Sequence, residues 1–352
     1  MTAGWRLGWV SVGVMKGWTK GWGSHACERT RHVVTSFASV CIVSMAACAV
    51  PASITDTTTQ WPHWLSELTL DPHAQGEDAA GEGLAYEVGH ELWVDGADKH
   101  RLLLLPATDV IDDRDRARWQ FPAGTVALKT LSIDGQPIET RAIRALDDGA
   151  WEYVAYRWND DASDAQQLAL DQPESIELGS GRVYQVPSRL NCRQCHESAP
   201  VPLLGVSELQ LAEAGHGDDD ELSRFDGLGV LLAGAPQRPV QLDAPDPATA
   251  GVLGWFVGNC VHCHHGGDGE NASFDLGPAV ALENTIGQPA EGSASGSGIR
   301  IVPGAPERSL LFLAVAREAD TPDVDSMPPV AASTRDEVAI AGLRRWIEGL
   351  AP

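Results

Sequence analysis

Between residues 84 and 187 the apolar positions come in short blocks closed by turn residues. "HRLLLLPA" (100–107) is an apolar run ended by proline. "GTVALKTLSI" (124–133) is rich in β-branched residues and stops at Asp134-Gly135, a turn pair. "IETRAIRAL", the aromatic-rich "WEYVAYRWND" closed by Asn159-Asp160, and "GRVYQVPSR" follow. Short strands at this spacing predict an all-β, sandwich-like domain. After Pro187 the pattern changes. "GVSELQLAEAG" and "ATAGVLGWFVGNC" read as short helices, and "NTIGQPAEGSASGSG" as a flexible loop. The chain closes on a helix. Thr334 with Glu337 forms a capping box, and Ala339, Leu343, Trp346, Ile347 and Leu350 share one face. The expected fold class is α+β, with strands over 84–187 and a mostly helical region over 188–352.

The N-terminal pattern is of another kind. Arg29 and Arg31 flank "VVTSFASVCIVSMAA", an apolar run too short to span a bilayer comfortably. It ends in Ala46 and Ala47 before Cys48. "SMAAC" resembles the lipobox of bacterial lipoproteins, which implies a lipidated Cys48 and a leader over 1–48; Met45 stands where leucine is usual. Ordinary secretory cleavage nearby is the other reading, and both give an exported chain. The stretch 1–28, with Trp5, Trp9, Trp18 and Trp22 among glycines, reads as sequence upstream of the true start. Residues 49–83, rich in Thr, Pro and Asp at their start, read as a tether.

The formal net charge is -24. An acidic surface of this kind repels nucleic acid and anionic lipid heads. It serves solubility, and it suits docking to a basic redox partner.

Of the seven cysteines, Cys27, Cys41 and Cys48 fall in the first 48 residues. The other four make two pentapeptides, Cys192-x-x-Cys195-His196 and Cys260-x-x-Cys263-His264, so none is left for an ordinary disulfide. Zinc and covalent haem compete for such motifs. A zinc ribbon separates its pairs by about 15–20 residues, whereas Cys195 and Cys260 are 65 apart (260 minus 195). Zinc needs no histidine after each second cysteine. Haem c does: two thiols add to the vinyl groups and the adjacent imidazole ligates the iron. The pattern predicts two covalently attached c-type haems on Cys192/Cys195/His196 and Cys260/Cys263/His264. Met327, in "DSMPPVA", is the only methionine beyond the leader and is the expected distal ligand of the second iron.

At this point a resemblance emerges. "GNCVHCHHGG", "IVPGAPERSLLFLAV" and "SMPPVAASTRDEVAIAGLRRWI" resemble a bacterial cytochrome c domain over roughly 250–350. "FPAGTVALKT", "ETR", "YRWN" and "YQVPSRLNCRQCH" extend the likeness to a family of exported bacterial dihaem c-type cytochromes, over most of 84–350. The resemblance implies a dihaem cytochrome c-like domain over 188–352 and electron transfer. It implies no substrate.

The first haem has no methionine left for its sixth position. His216, close in sequence, is the leading candidate, with His90, His100, His63 and His73 behind it. His262 and His265 are expected to face solvent or a haem propionate. An open sixth position is the remaining alternative, and it would make the protein a dihaem peroxidase-like oxidoreductase. Against that stand the 68 residues between the two proximal histidines (264 minus 196) and the lack of two equal cytochrome halves. The expected location is the periplasm or cell envelope, anchored by lipid to a membrane, the outer membrane first.

Overall fold

The computed structural model describes residues 54–68, 83–179, 181–216, 219–236, 240–266, 274–290, 298–316, 324–329 and 333–351, the side chains of His216 and Asp219 excepted. The leader and Cys48 lie outside the described residues. The content is mixed α and β. Strands β1 (Leu84–Ala85), β2 (Asp98–Leu104), β3 (Val126–Ile133), β4 (Gln136–Ala145), β5 (Trp151–Trp158) and β6 (Ala165–Gln167) form one antiparallel sheet in chain order. β7 (Glu174–Leu178) and β8 (Arg182–Val186) form a separate hairpin. Helices follow: α1 (Arg189–His196), α2 (Glu208–Ala212), α3 (Glu221–Gly227), α4 (Pro247–Asn259), α5 (Ala281–Thr285), α6 (Leu310–Ala316) and α7 (Glu337–Gly349). No helix among the described residues is long and apolar enough to cross a membrane.

The β3–β4 turn is the expected one. Asp134 and Gly135 both have positive φ, 52° and 76°, as a tight hairpin turn requires. The sandwich is replaced by a different solution. A six-stranded meander must bury both faces, and here neither is covered by a second large sheet. One face, with Leu104, Val126, Leu128, Ala142, Val154 and Tyr156, packs on Ile54, Trp61 and Leu68. Residues 54–68 are therefore part of the fold, not of the expected tether. Arg144, buried in the sheet, fixes them by donating to the carbonyls of Ile54, Asp56 and Thr59 at 3.1, 3.1 and 2.8 Å. The opposite face, with Leu103, Ala127, Ile143 and Tyr153, packs on Leu203, Leu211, Leu222 and Phe225 from the helical region.

A second core lies among the helices, built from Leu253 and Phe256 of α4, Phe312 of α6, and Leu343, Trp346 and Ile347 of α7. The C-terminal helix is capped by Asp336, whose carboxylate accepts from the Ala339 N–H at 3.0 Å. Thr334, expected as the cap, instead bonds the carboxylate of Asp95. A nearby loop claims it, and the next acidic side chain takes the helix end.

The segment 89–95 joins sheet to helices. Gln210 of α2 brackets residue 90, accepting from the His90 N–H at 2.8 Å and donating to its carbonyl at 3.0 Å. Asn259, at the end of α4, accepts from the Trp93 N–H at 2.7 Å and donates to the Glu91 carbonyl at 3.1 Å. α4 comes this close because Gly254 and Gly258 face the segment. A Cβ on Gly254 would meet the His90 ring at 2.5 Å, and one on Gly258 the Glu91 carbonyl at 2.6 Å.

Candidate cofactor centre

The first pentapeptide is helical. Ser188 caps α1: its hydroxyl accepts from the Asn191 N–H at 3.3 Å, while Asn191 accepts from the Ser188 N–H at 3.1 Å. Cys192, Cys195 and His196 then fall at i, i+3 and i+4, on one side of the helix. α1 docks on the sheet through Arg189, which donates to the Tyr153 carbonyl at 2.7 Å. The Tyr153 and His196 rings are 5.5 Å apart.

The second pentapeptide is a turn continuing from α4. The N–H groups of Cys263 and His264 both donate to the Cys260 carbonyl, at 3.0 and 2.9 Å. Cys260 packs against the helical core. The His264 ring lies 4.5 Å from that of Phe274.

The two pentapeptides touch. Ligand atoms of Cys195, His262 and Cys263 all lie within 4.8 Å of one another. Ser198 donates to the His262 carbonyl at 3.2 Å, and the His265 ring nitrogen Nε2 is 2.6 Å from the Ser198 carbonyl. His262 and His265 are thus engaged between the motifs rather than turned to solvent.

Chemistry follows from burial. Burial first, then the Lys129 charge, pushes His196 down to about 3, so its imidazole is neutral at ordinary pH. Its Nδ1 lies 2.7 Å from the Pro202 carbonyl, which leaves the Nε2 lone pair for a metal. His264 is also pushed down, chiefly by burial. Its Nδ1 is buried near the Phe274 backbone and makes no hydrogen bond of normal geometry. Burial raises the Cys192 thiol, and raises Cys260 to about 12. Cys263 is held low, first by the hydrogen bond from Cys195, so it is the sulfur of that pair that ionises first. Four cysteines and two neutral histidines in this arrangement fit the donor set of two covalent haems.

The remaining sequence candidates separate clearly. Met327 is partly buried, and its N–H donates to the Ala314 carbonyl of α6 at 3.0 Å. That seats its loop on the helix whose Phe312 packs in the same core as Phe256. His216 lies in a two-residue strand paired with Asp219, its side chain outside the described atoms. The His90 Nε2 is 2.8 Å from the Glu213 carboxylate. His100 is exposed on β2, on the sheet face turned away from Tyr153. His63 is exposed and reaches Gln166 at 3.0 Å. His73 lies outside the described residues.

Several charged side chains at this centre were missed from sequence. Lys129, Arg141 and Glu139 occupy inward positions of β3 and β4. The available signal was a charge at an inward place in the alternation, in "VALKTL" and "IETRAI".

No protein-family model, no curated protein and no solved structure matches this chain.

Proposed function

We propose that the chain is an exported c-type cytochrome with two covalently bound haems, working in electron transfer. Its helical region would be a cytochrome c-like unit placed after the sheet. The observation that carries this reading is the packing of the two C-x-x-C-H pentapeptides against each other, Cys195 beside Cys263. Bound haems would supply the one-electron chemistry. The chain's own residues hold and tune them. Cys192 and Cys195 hold the first by thioether bonds, Cys260 and Cys263 the second. His196 presents Nε2 with its ring fixed through Pro202, and His264 offers its imidazole to the second iron. Met327 would offer the second iron a soft sulfur, which favours Fe(II). His216 is the candidate for the first. The net charge of -24 suits a basic redox partner. Lipidation at Cys48 would tether the protein to a membrane of the cell envelope.

A second reading has one observation behind it: Cys195, His262 and Cys263 are a set zinc accepts. It leaves Cys192, Cys260, His196 and His264 without a role.

Mass spectrometry of protein matured with the haem-attachment machinery decides between them. Two covalent haem additions are expected; bound zinc without haem would overturn the cytochrome reading. In the same protein, Met327→Ala should abolish the weak far-red charge-transfer band of a ferric His/Met haem. It should lower one midpoint potential and leave the other unchanged. A high-spin ferric signal in the wild type would mark an open iron and favour peroxidase-like chemistry.

A further inference from the structure

The sheet carries an unusual row. Arg101, Lys129 and Arg141 are direct cross-strand neighbours on β2, β3 and β4, so their side chains leave the same face. Lys99 sits two residues along β2 on that face. This is the face of Leu103, Ala127, Ile143 and Tyr153, against which Cys192 of α1 packs.

The flanking cations are matched. Arg141 makes a two-pronged pair with Glu139 at 2.8 and 2.9 Å, and Tyr184 donates its hydroxyl to the same carboxylate at 2.6 Å. Arg101 and Lys99 share the Glu91 carboxylate, at 2.5 and 3.4 Å. Lys129 has no ion-pair partner among the described residues. With Lys129 protonated, four cations face two carboxylates, a local surplus of two positive charges in a chain of net charge -24. A partly buried charge without a counter-charge is destabilising. Burial, with the repulsion of Arg141, Arg101 and Lys99, pushes Lys129 down to about 7.

The row also faces the first pentapeptide. Tyr153, on the same face, has its ring 5.5 Å from that of His196 and its carbonyl 2.7 Å from Arg189 of α1, and Cys192 packs on that face beside Ala127 and Ile143. A ligand there should carry two negative charges on flexible arms. Haem c has two propionate carboxylates.

We infer that the Arg101–Lys129–Arg141 row is an anion seat, with Lys129 as the positioning residue for the carboxylates of a haem held by Cys192, Cys195 and His196. This rests on the dihaem reading above. Pairing would neutralise the surplus charge and fix the haem plane against the sheet. A positive charge held there also favours the electron-rich state of the iron, so losing it lowers the potential.

The test uses the full matured protein and the variants Lys129→Met, Lys129→Gln and Lys129→Arg, read by haem mass, absorbance spectrum and potentiometric titration. Lys129→Met and Lys129→Gln should lower one midpoint potential, shifting its reduction equilibrium by about tenfold, or about 59 mV for one electron. The axial-ligand bands should not change, and Lys129→Arg should restore most of the potential. Selective loss of one haem in the Met or Gln variant but not in Lys129→Arg would support the seat equally. Unchanged potentials in all three variants would overturn it. So would altered axial-ligand bands in all three, because Lys129 would then be an iron ligand. Absence of haem from the wild type is a separate outcome: it removes the dihaem reading itself.

Discussion

The two pentapeptides have the same order of residues and different surroundings. The first lies on a capped helix docked on Tyr153 of the sheet face that also carries Lys129 and Arg141. The second is a turn at the end of α4, rooted in an apolar core of Phe256, Phe312 and Trp346 and next to Phe274. One sits against a row of several cations, the other on an apolar root with Arg300 stacked 4.1 Å over the Phe274 ring. In a cytochrome, axial ligands, burial and nearby charge tune the potential. On the proposed dihaem reading, the difference would give one chain two unlike centres in contact, where duplicated cytochrome domains would give two similar ones.

That contrast can be broken from either side. The largest effect is expected from Arg141→Met. It leaves Glu139, fully buried, without its countercharge, and breaking such a pair costs about 3–5 kcal/mol. Urea denaturation of the matured protein should show the loss, and any spectral change should be confined to one haem. An equal change in both haems would show that the sheet does not distinguish the two centres. Asn259→Ala should cost about 2–3 kcal/mol, because the Trp93 N–H and the Glu91 carbonyl lose their partner where α4 meets the segment 89–95. Its spectral effect should fall on the second centre, whose first cysteine is the next residue. Ser188→Ala should cost about 1 kcal/mol as a lost N-cap. Hydrogen exchange should quicken in α1 and stay unchanged in α4. Equal quickening in both would mean that the two pentapeptides open as one unit.

Much of this was legible in the sequence because it is local. Strand alternation and Asp134-Gly135 predict β3 and β4, since a side-chain period of two and a positive-φ turn pair are written in adjacent residues. Each C-x-x-C-H motif is likewise written in five adjacent residues, and the C-terminal helix announces its apolar face. The exact cap was not legible: Thr334 and Asp336 are both good caps, and only the position of Asp95 decided between them.

The sequence by itself determined most of the elements, the two C-x-x-C-H pentapeptides and the acidic charge, because each depends on residue type and near neighbours. Only the tertiary structure decided the partners. Residues 54–68 became one cover of the sheet because a meander has two apolar faces and its helices occupy one. Cys195 meets Cys263 from 68 residues away, and Tyr153 meets the His196 ring from 43 residues away, through packing of α1 on the sheet and α4 on the segment 89–95. Contacts at such separations leave no periodic trace along the chain, since they arise from how finished elements pack against one another.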